Sequence, residues 1–143
     1  MPDLVGASAD DTEAAFYAAL QSADLEQLMA CWSDDDEIVC VHPGGPRIVG
    51  AAAIRSTFES IFANGSIQAR AEHVRKVDGL GSAVHSVLER VEIQTPDGPA
   101  QAYVLATNVY HKTALGWRLV LHHASPGNRS EVQEIHAKPQ TLH

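Results

Sequence analysis

The chain has 143 residues and a formal net charge of -8, with 10 Lys and Arg against 18 Asp and Glu. That balance disfavours a nucleic-acid partner, whose phosphates need clustered cations, and the length indicates one domain. With 45% apolar and 20% charged residues, the composition is that of a globular chain large enough to bury a core without staples.

The two cysteines, Cys31 and Cys40, make no disulfide framework and no CxxC motif; they read as buried reduced thiols. The first residues, MPDLVGASADD, lack the charged-then-apolar pattern of a signal peptide. No apolar run approaches the ~20 residues of a membrane span. A cytoplasmic protein that uses neither membrane nor nucleic acid is expected.

Residues 1–10 read as a flexible arm. From Asp11 the pattern turns helical: Phe16, Ala19, Leu20 and Ala23 fall on one face, and Asp10, Asp11 and Glu13 place negative charge in the first turn, where the helix dipole favours it. Asp24 opens a shorter helix, with Gln27 completing a capping-box pattern. Its apolar stripe is Leu25, Leu28, Met29 and Trp32. The acidic run Asp34–Asp36 lies at a helix-to-strand junction and reads as solvated, since no calcium-loop spacing follows.

Ile38 to Val41 is a β-branched apolar strand. Pro43-Gly44-Gly45-Pro46 must turn, Arg47 to Val49 returns as a second short strand, and a third helix runs from Gly50 with the stripe Ile54, Phe58, Ile61 and Phe62. Asn64-Gly65 ends it. Four strands follow, over residues 67–77, 82–95, 100–112 and 117–125, joined by short glycine-bearing turns. Helices first and an antiparallel meander afterwards define an α+β fold. The third of these strands is apolar on both parities, with Tyr103, Leu105, Thr107 and Val109 on one side and Val104, Ala106, Asn108 and Tyr110 on the other. Both faces of the sheet are therefore covered. Three helices cover one, and a second subunit is expected on the other. Residues 127–143 form a polar tail, expected to be disordered or to lie over that dimer.

The helix pair AFYAALQSADLEQLMACW, the helix start GAAAIR and the last strand GWRLVLHHASP resemble the nuclear transport factor 2-like superfamily, and most closely its SnoaL-like, ketosteroid-isomerase-like branch. The resemblance spans residues 11–126. It implies a cone in which three N-terminal helices close over a curved, mostly antiparallel sheet and enclose a pocket, with dimers through the sheet common. Ketosteroid isomerases place a carboxylate base at the end of the first strand, just before a proline; the matching position here is His42. Their oxyanion-holding tyrosine is matched by Phe16, which cannot donate a hydrogen bond. Tyr17, next door, points about 100° away on the helix.

His42 is accordingly the candidate general acid or base, or else a turn histidine bonded to a backbone carbonyl. His122 and His123 face opposite ways on a strand, so only one reaches the pocket. Shared parity with Trp117, Leu119 and Leu121 favours His123. Phe16, Tyr17, Trp32 and Phe58 are expected to wall the cavity. Asn108 is a lone amide that needs partners if buried, and Arg47 would hold a carboxylate or enolate, or pair with the acidic run. Glu89 and His85 share one side of a strand and read as an exposed cross-strand pairing. No HxH or HExxH spacing marks a metal site, and no GxGxxG or P-loop lysine marks a cofactor. The expectation is a small-molecule pocket protein without metal or cofactor, an isomerase, cyclase or dehydratase using His42 on a hydrophobic or amphipathic molecule. The alternative is a non-catalytic dimeric domain that binds a metabolite or a protein partner.

Overall fold

The structure is a computed structural model that describes residues 6–128 and 133–137. The first helix, α1 (Ala9–Ser22), starts two residues before the expected boundary, because Ser8 caps it by accepting from the Asp11 N–H at 3.0 Å. The end of the proposed arm is built into the fold. The Thr12 hydroxyl donates to the Trp117 carbonyl at 2.9 Å and accepts from the Gly6 N–H, while the Trp117 N–H donates to the Gly6 carbonyl.

Ala23 adopts φ 53° to close α1, and Asp24 at once caps α2 (Leu25–Cys31) by accepting from the Gln27 N–H. The capping box is only half formed. The Gln27 amide turns away and donates to the Ala15 carbonyl at 3.2 Å, tying the two helices together. Two short strands follow, β1 (Val39–Val41) and β2 (Arg47–Val49), then α3 (Ala51–Ala63). Gly50 takes φ 92° at the start of α3 and donates its N–H to the Ile38 carbonyl, a corner only glycine turns without strain.

The meander is β3 (Ala69–Asp78), β4 (Ser82–Thr95), β5 (Gly98–Thr113) and β6 (Gly116–Gly127). The six strands form one sheet in the order β2-β1-β6-β5-β4-β3, antiparallel except where β1 runs parallel to β6. Joining β1 to β6 places the end of the first strand beside the middle of the last, so His42 and His122 come from segments about eighty residues apart. Two irregularities bend the sheet. One is a register shift in β3 between Glu72 and Arg75, where His73 takes φ 47°. The other is in β6, where Val109 pairs Leu121 but Tyr110 pairs Leu119, leaving Val120 as an extra residue.

All three helices pack against the inner face, around Phe16, Leu28, Ile54, Phe58 and Leu119. From β5, Val104, Ala106, Asn108 and Tyr110 point inward and are buried. Nothing in the chain's described residues covers the opposite face across its whole width, and Val84 and Leu105 stand 39% and 36% exposed on it. Of the polar tail, residues 133–137 are described; Glu134 there makes a bidentate ion pair with Arg75. Residues 1–5, 129–132 and 138–143 lie outside the described residues. No helix is long and apolar enough to cross a membrane.

Candidate functional site

The inner face of the sheet, α1 and α3 enclose a cavity of about 420 Å³, within the range of small-molecule sites. Phe16 and Leu20 of α1, Phe58 of α3 and Val91, Val104 and Ala124 of the sheet give it apolar walls. Against these stand the acid–base groups His42, Glu89 and His122, and Tyr103 of β5 also borders the cavity.

His42 lies where β1 stops, and its ring packs edge-on against Phe58 at 5.1 Å between centroids. Burial pulls its pKa below the ordinary 6.5, so the ring is neutral at neutral pH. Its Nε2 is 3.8 Å from the Cys40 sulfur. The Cys40 thiol is itself pushed up to about 12 by burial and, less, by the charge of Glu89, so it stays protonated. Both cysteines are reduced and buried.

His122, not His123, faces the cavity. His123 is exposed on the outer side, whereas His122 is 5% exposed and lines the pocket. The extra residue Val120 reverses the alternation along β6, so Leu119 and His122, rather than Leu119 and His123, both point inward. Burial pushes the His122 pKa down to about 3, with smaller repulsions from His42 and His123.

Glu89 was expected to be exposed, and the structure buries it. Ala83, His85, Val87, Glu89 and Val91 alternate along β4 onto the inner face. Burial raises the Glu89 carboxyl pKa; the Tyr17 hydroxyl, which donates to its Oε2 at 2.6 Å, works against that rise, and the charge of Glu13 adds to it. Glu89 Oε2 and His122 Nε2 are 4.0 Å apart, too far for a direct hydrogen bond.

Behind this wall lies a buried polar cluster. Glu13 Oε2 accepts from His85 Nδ1 at 2.9 Å, from the Tyr110 hydroxyl at 2.7 Å and from Asn108 Nδ2 at 3.2 Å. Asn108 Nδ2 also donates to the Tyr17 oxygen at 3.1 Å, and Asn108 Oδ1 lies 2.5 Å from His122 Nδ1. Burial and the neighbouring carboxylates raise the pKa of both tyrosines, keeping their hydroxyls protonated.

The structure therefore brings Phe16, His42 and Phe58 to the cavity surface and sets Tyr17 and Asn108 immediately behind it. Two expected ligand-binding residues lie elsewhere. Trp32 is buried edge-on against Phe16 at 6.4 Å but borders a different cleft, with Met29, Leu115 and Arg118, because the backbone has already turned toward β6 there. Arg47 is exposed on β2, the edge strand, and does not line the cavity. Glu13, His85, Glu89, Tyr110 and His122 are the additional inward groups; His85, like Glu89, is buried rather than exposed. The period-two alternation of β4 with apolar neighbours was the available signal for Glu89; Glu13 shares a helix face with Phe16 and Tyr17. Among the described residues, no group of three or more His, Cys, Asp or Glu is placed to hold a metal ion.

A cone of three helices over a curved sheet, with its cavity at the inner face, defines a nuclear transport factor 2-like fold. The chain belongs to the SnoaL-like family, whose domain model matches residues 10–128. A search of curated proteins found no match. Among solved structures, the chain is similar to a provisionally assigned calcium/calmodulin-dependent protein kinase type II association domain from Thiobacillus denitrificans, at 36% identity and a TM-score of 0.77, covering 87% of this chain and 98% of that one. A provisionally assigned dehydratase of the nuclear transport factor 2-like family from Streptomyces avermitilis shows 29% identity and a TM-score of 0.72, over 81% of this chain and 91% of its own. A ketosteroid isomerase-like protein from Erwinia carotovora atroseptica, at 19% identity, TM-score 0.66, and coverage of 82% and 92%, shares the fold.

Proposed function

We propose that the chain acts on a small, neutral, largely apolar molecule by proton transfer, as an isomerase or a dehydratase. The observation that carries this reading is a carboxyl group with a raised pKa, Glu89, at the wall of an otherwise apolar cavity that also holds two neutral imidazoles. Burial favours the neutral form of each group, an acid that keeps its proton and a base that is free of one, and such a pair is what proton transfer at neutral pH requires. From its protonated form, which burial favours, Glu89 can deliver a proton to a substrate oxygen. His42, neutral and in contact with the cavity, is the base that removes one. In a dehydration, Glu89 protonates the departing hydroxyl as the C–O bond breaks, and His42 takes the proton from the adjacent carbon, leaving water and a double bond. In an isomerisation the same pair moves a proton between two carbons through an enol.

No Lys or Arg lines the cavity, so a carboxylate or phosphate on the ligand would lose its hydration there without a counter-charge. Thermal-shift titration with matched pairs of apolar ketones or alcohols and their carboxylate analogues tests the reading. The neutral member is expected to raise the melting temperature and the anion to leave it unchanged; stabilisation by the anion alone would contradict it. The dehydratase-type neighbour supports the same chemistry.

A second reading, assembly, is favoured by a separate observation: the open sheet face with Val84 and Leu105 exposed. It is supported by the association-domain neighbour. We infer a homodimer through this face, which is compatible with a catalytic inner cavity. Sedimentation velocity at tens of micromolar is expected to show a dimer that Leu105→Glu dissociates. A wild-type monomer at that concentration would contradict it.

A further inference from the structure

We propose that Asn108 is a positioning residue that locks His122 as the Nδ1–H tautomer, so that the bare Nε2 is a fixed hydrogen-bond acceptor in the cavity and selects a ligand carrying a hydroxyl. On its nitrogen side, Asn108 meets only acceptors. Glu13 Oε2, at 3.2 Å, belongs to a carboxylate already receiving His85 and Tyr110. The Tyr17 oxygen, at 3.1 Å, has spent its own hydrogen on Glu89. Both amide hydrogens are used there. Turning the amide over would set its oxygen against a carboxylate and a phenol oxygen, two buried repulsive contacts in place of two hydrogen bonds.

The amide oxygen must therefore face His122 Nδ1, 2.5 Å away. A carbonyl oxygen has no hydrogen to give, so Nδ1 carries one and donates. A neutral imidazole has a single N–H, which leaves Nε2 with its lone pair. The two residues are held opposite each other by the sheet, Asn108 of β5 pairing His122 of β6. The titratable groups that face the ring are Glu89 at 4.0 Å from Nε2, His42 across the cavity and, through Asn108, Glu13 and Tyr17.

Two consequences follow. A nitrogen this hard to protonate is a poor carrier of protons and a good receiver of a hydrogen bond. A ligand hydroxyl beside it donates to Nε2, and its oxygen then lies next to the Glu89 carboxyl, which can protonate it. The choice of ligand rests on the acid–base reading given above, whereas the tautomer does not.

The test uses the full chain with nitrogen-15-labelled histidine. Two-bond proton–nitrogen correlation at pH 7 is expected to show His122 with Nδ1 in the protonated range and Nε2 in the unprotonated range. In Asn108→Ala the preference should be lost and Nε2 become protonated in part. Wild-type His122 as the Nε2–H tautomer would overturn the proposal whether or not the variant folds. The ligand class is read separately by titrating 2-naphthol and its methyl ether into the same sample. The alcohol should bind at least about tenfold more tightly, the loss expected when a buried acceptor goes unpaired. Equal binding, or binding of neither at millimolar concentration, would overturn the hydroxyl selection. Turnover enters neither measurement, so the failure of Glu89 as an acid would show independently.

Discussion

Replacing Glu89 by Gln is expected to lower turnover about 100- to 10,000-fold while leaving the fold intact, the range that general acid–base groups typically contribute. Gln keeps the shape and still accepts from the Tyr17 hydroxyl that now bonds Glu89 at 2.6 Å, so binding and stability should change little. What it lacks is a proton to give. The same range is expected for His42→Gln, which is similar in size and cannot titrate. The pair separates the acid from the base, because the pH profile should lose its upper limb in Glu89→Gln and its lower limb in His42→Gln. A Glu89→Gln protein that turns substrate over at the wild-type rate would remove the carboxyl from the chemistry and leave the cavity as a binding site.

The largest stability effect is expected at Glu13. One carboxylate oxygen accepts from His85, Asn108 and Tyr110, all buried. Glu13→Ala takes the shared acceptor from three donors on two adjacent strands, His85 of β4 and Asn108 and Tyr110 of β5, each loss costing about 1–3 kcal/mol when the donor is buried. A loss of at least about 3 kcal/mol is expected in urea unfolding, a large part of a typical domain's 5–15 kcal/mol. Glu13→Gln retains an acceptor oxygen and should lose much less. A change under about 1 kcal/mol in the alanine variant would show that water replaces the carboxylate at no cost, and that the cluster does not hold α1 to the sheet.

Much of this architecture was legible in the chain. Helical spacing at Phe16, Leu20 and Phe58 marked the faces that close the cavity, and Gly50, Asn64 and the three glycine-bearing turns marked the boundaries. The proline after His42 ended the first strand where the cavity begins. The failures have one physical origin each. His123 was favoured over His122 because strict alternation was carried through a bulge at Val120 that depends on the neighbouring strand. Glu89 and His85 read as exposed because charged residues usually are, but their acceptors and donors come from α1, more than seventy residues earlier. Trp32, at the end of its helix, reads as a cavity wall and Arg47, just after the turn, as an anion holder; instead the bridge to Leu119 takes Trp32 to a different cleft, and Arg47 lies exposed on the edge strand β2. Local patterns specify elements; polar networks across α1, β4, β5 and β6 are specified only when those elements meet.

The central claim is that burial in an apolar cavity holds the Glu89 carboxyl pKa above its ordinary value and favours its acid form, and its titration tests that most directly. Carbon-13 spectra of the side-chain carboxyl, assigned by comparison with Glu89→Gln, follow the group from pH 3 to pH 9. Because its folded-state pKa is raised, the group's contribution to stability is complete below the unfolded value of about 4.3 and is lost as pH rises through the folded one. The expected result is a Glu89 midpoint clearly above the ordinary carboxyl value, with stability falling over the same interval. A midpoint at or below about 4.3 would mean that Glu89 is an ordinary carboxylate at neutral pH with no proton to deliver, and would contradict the proposed chemistry.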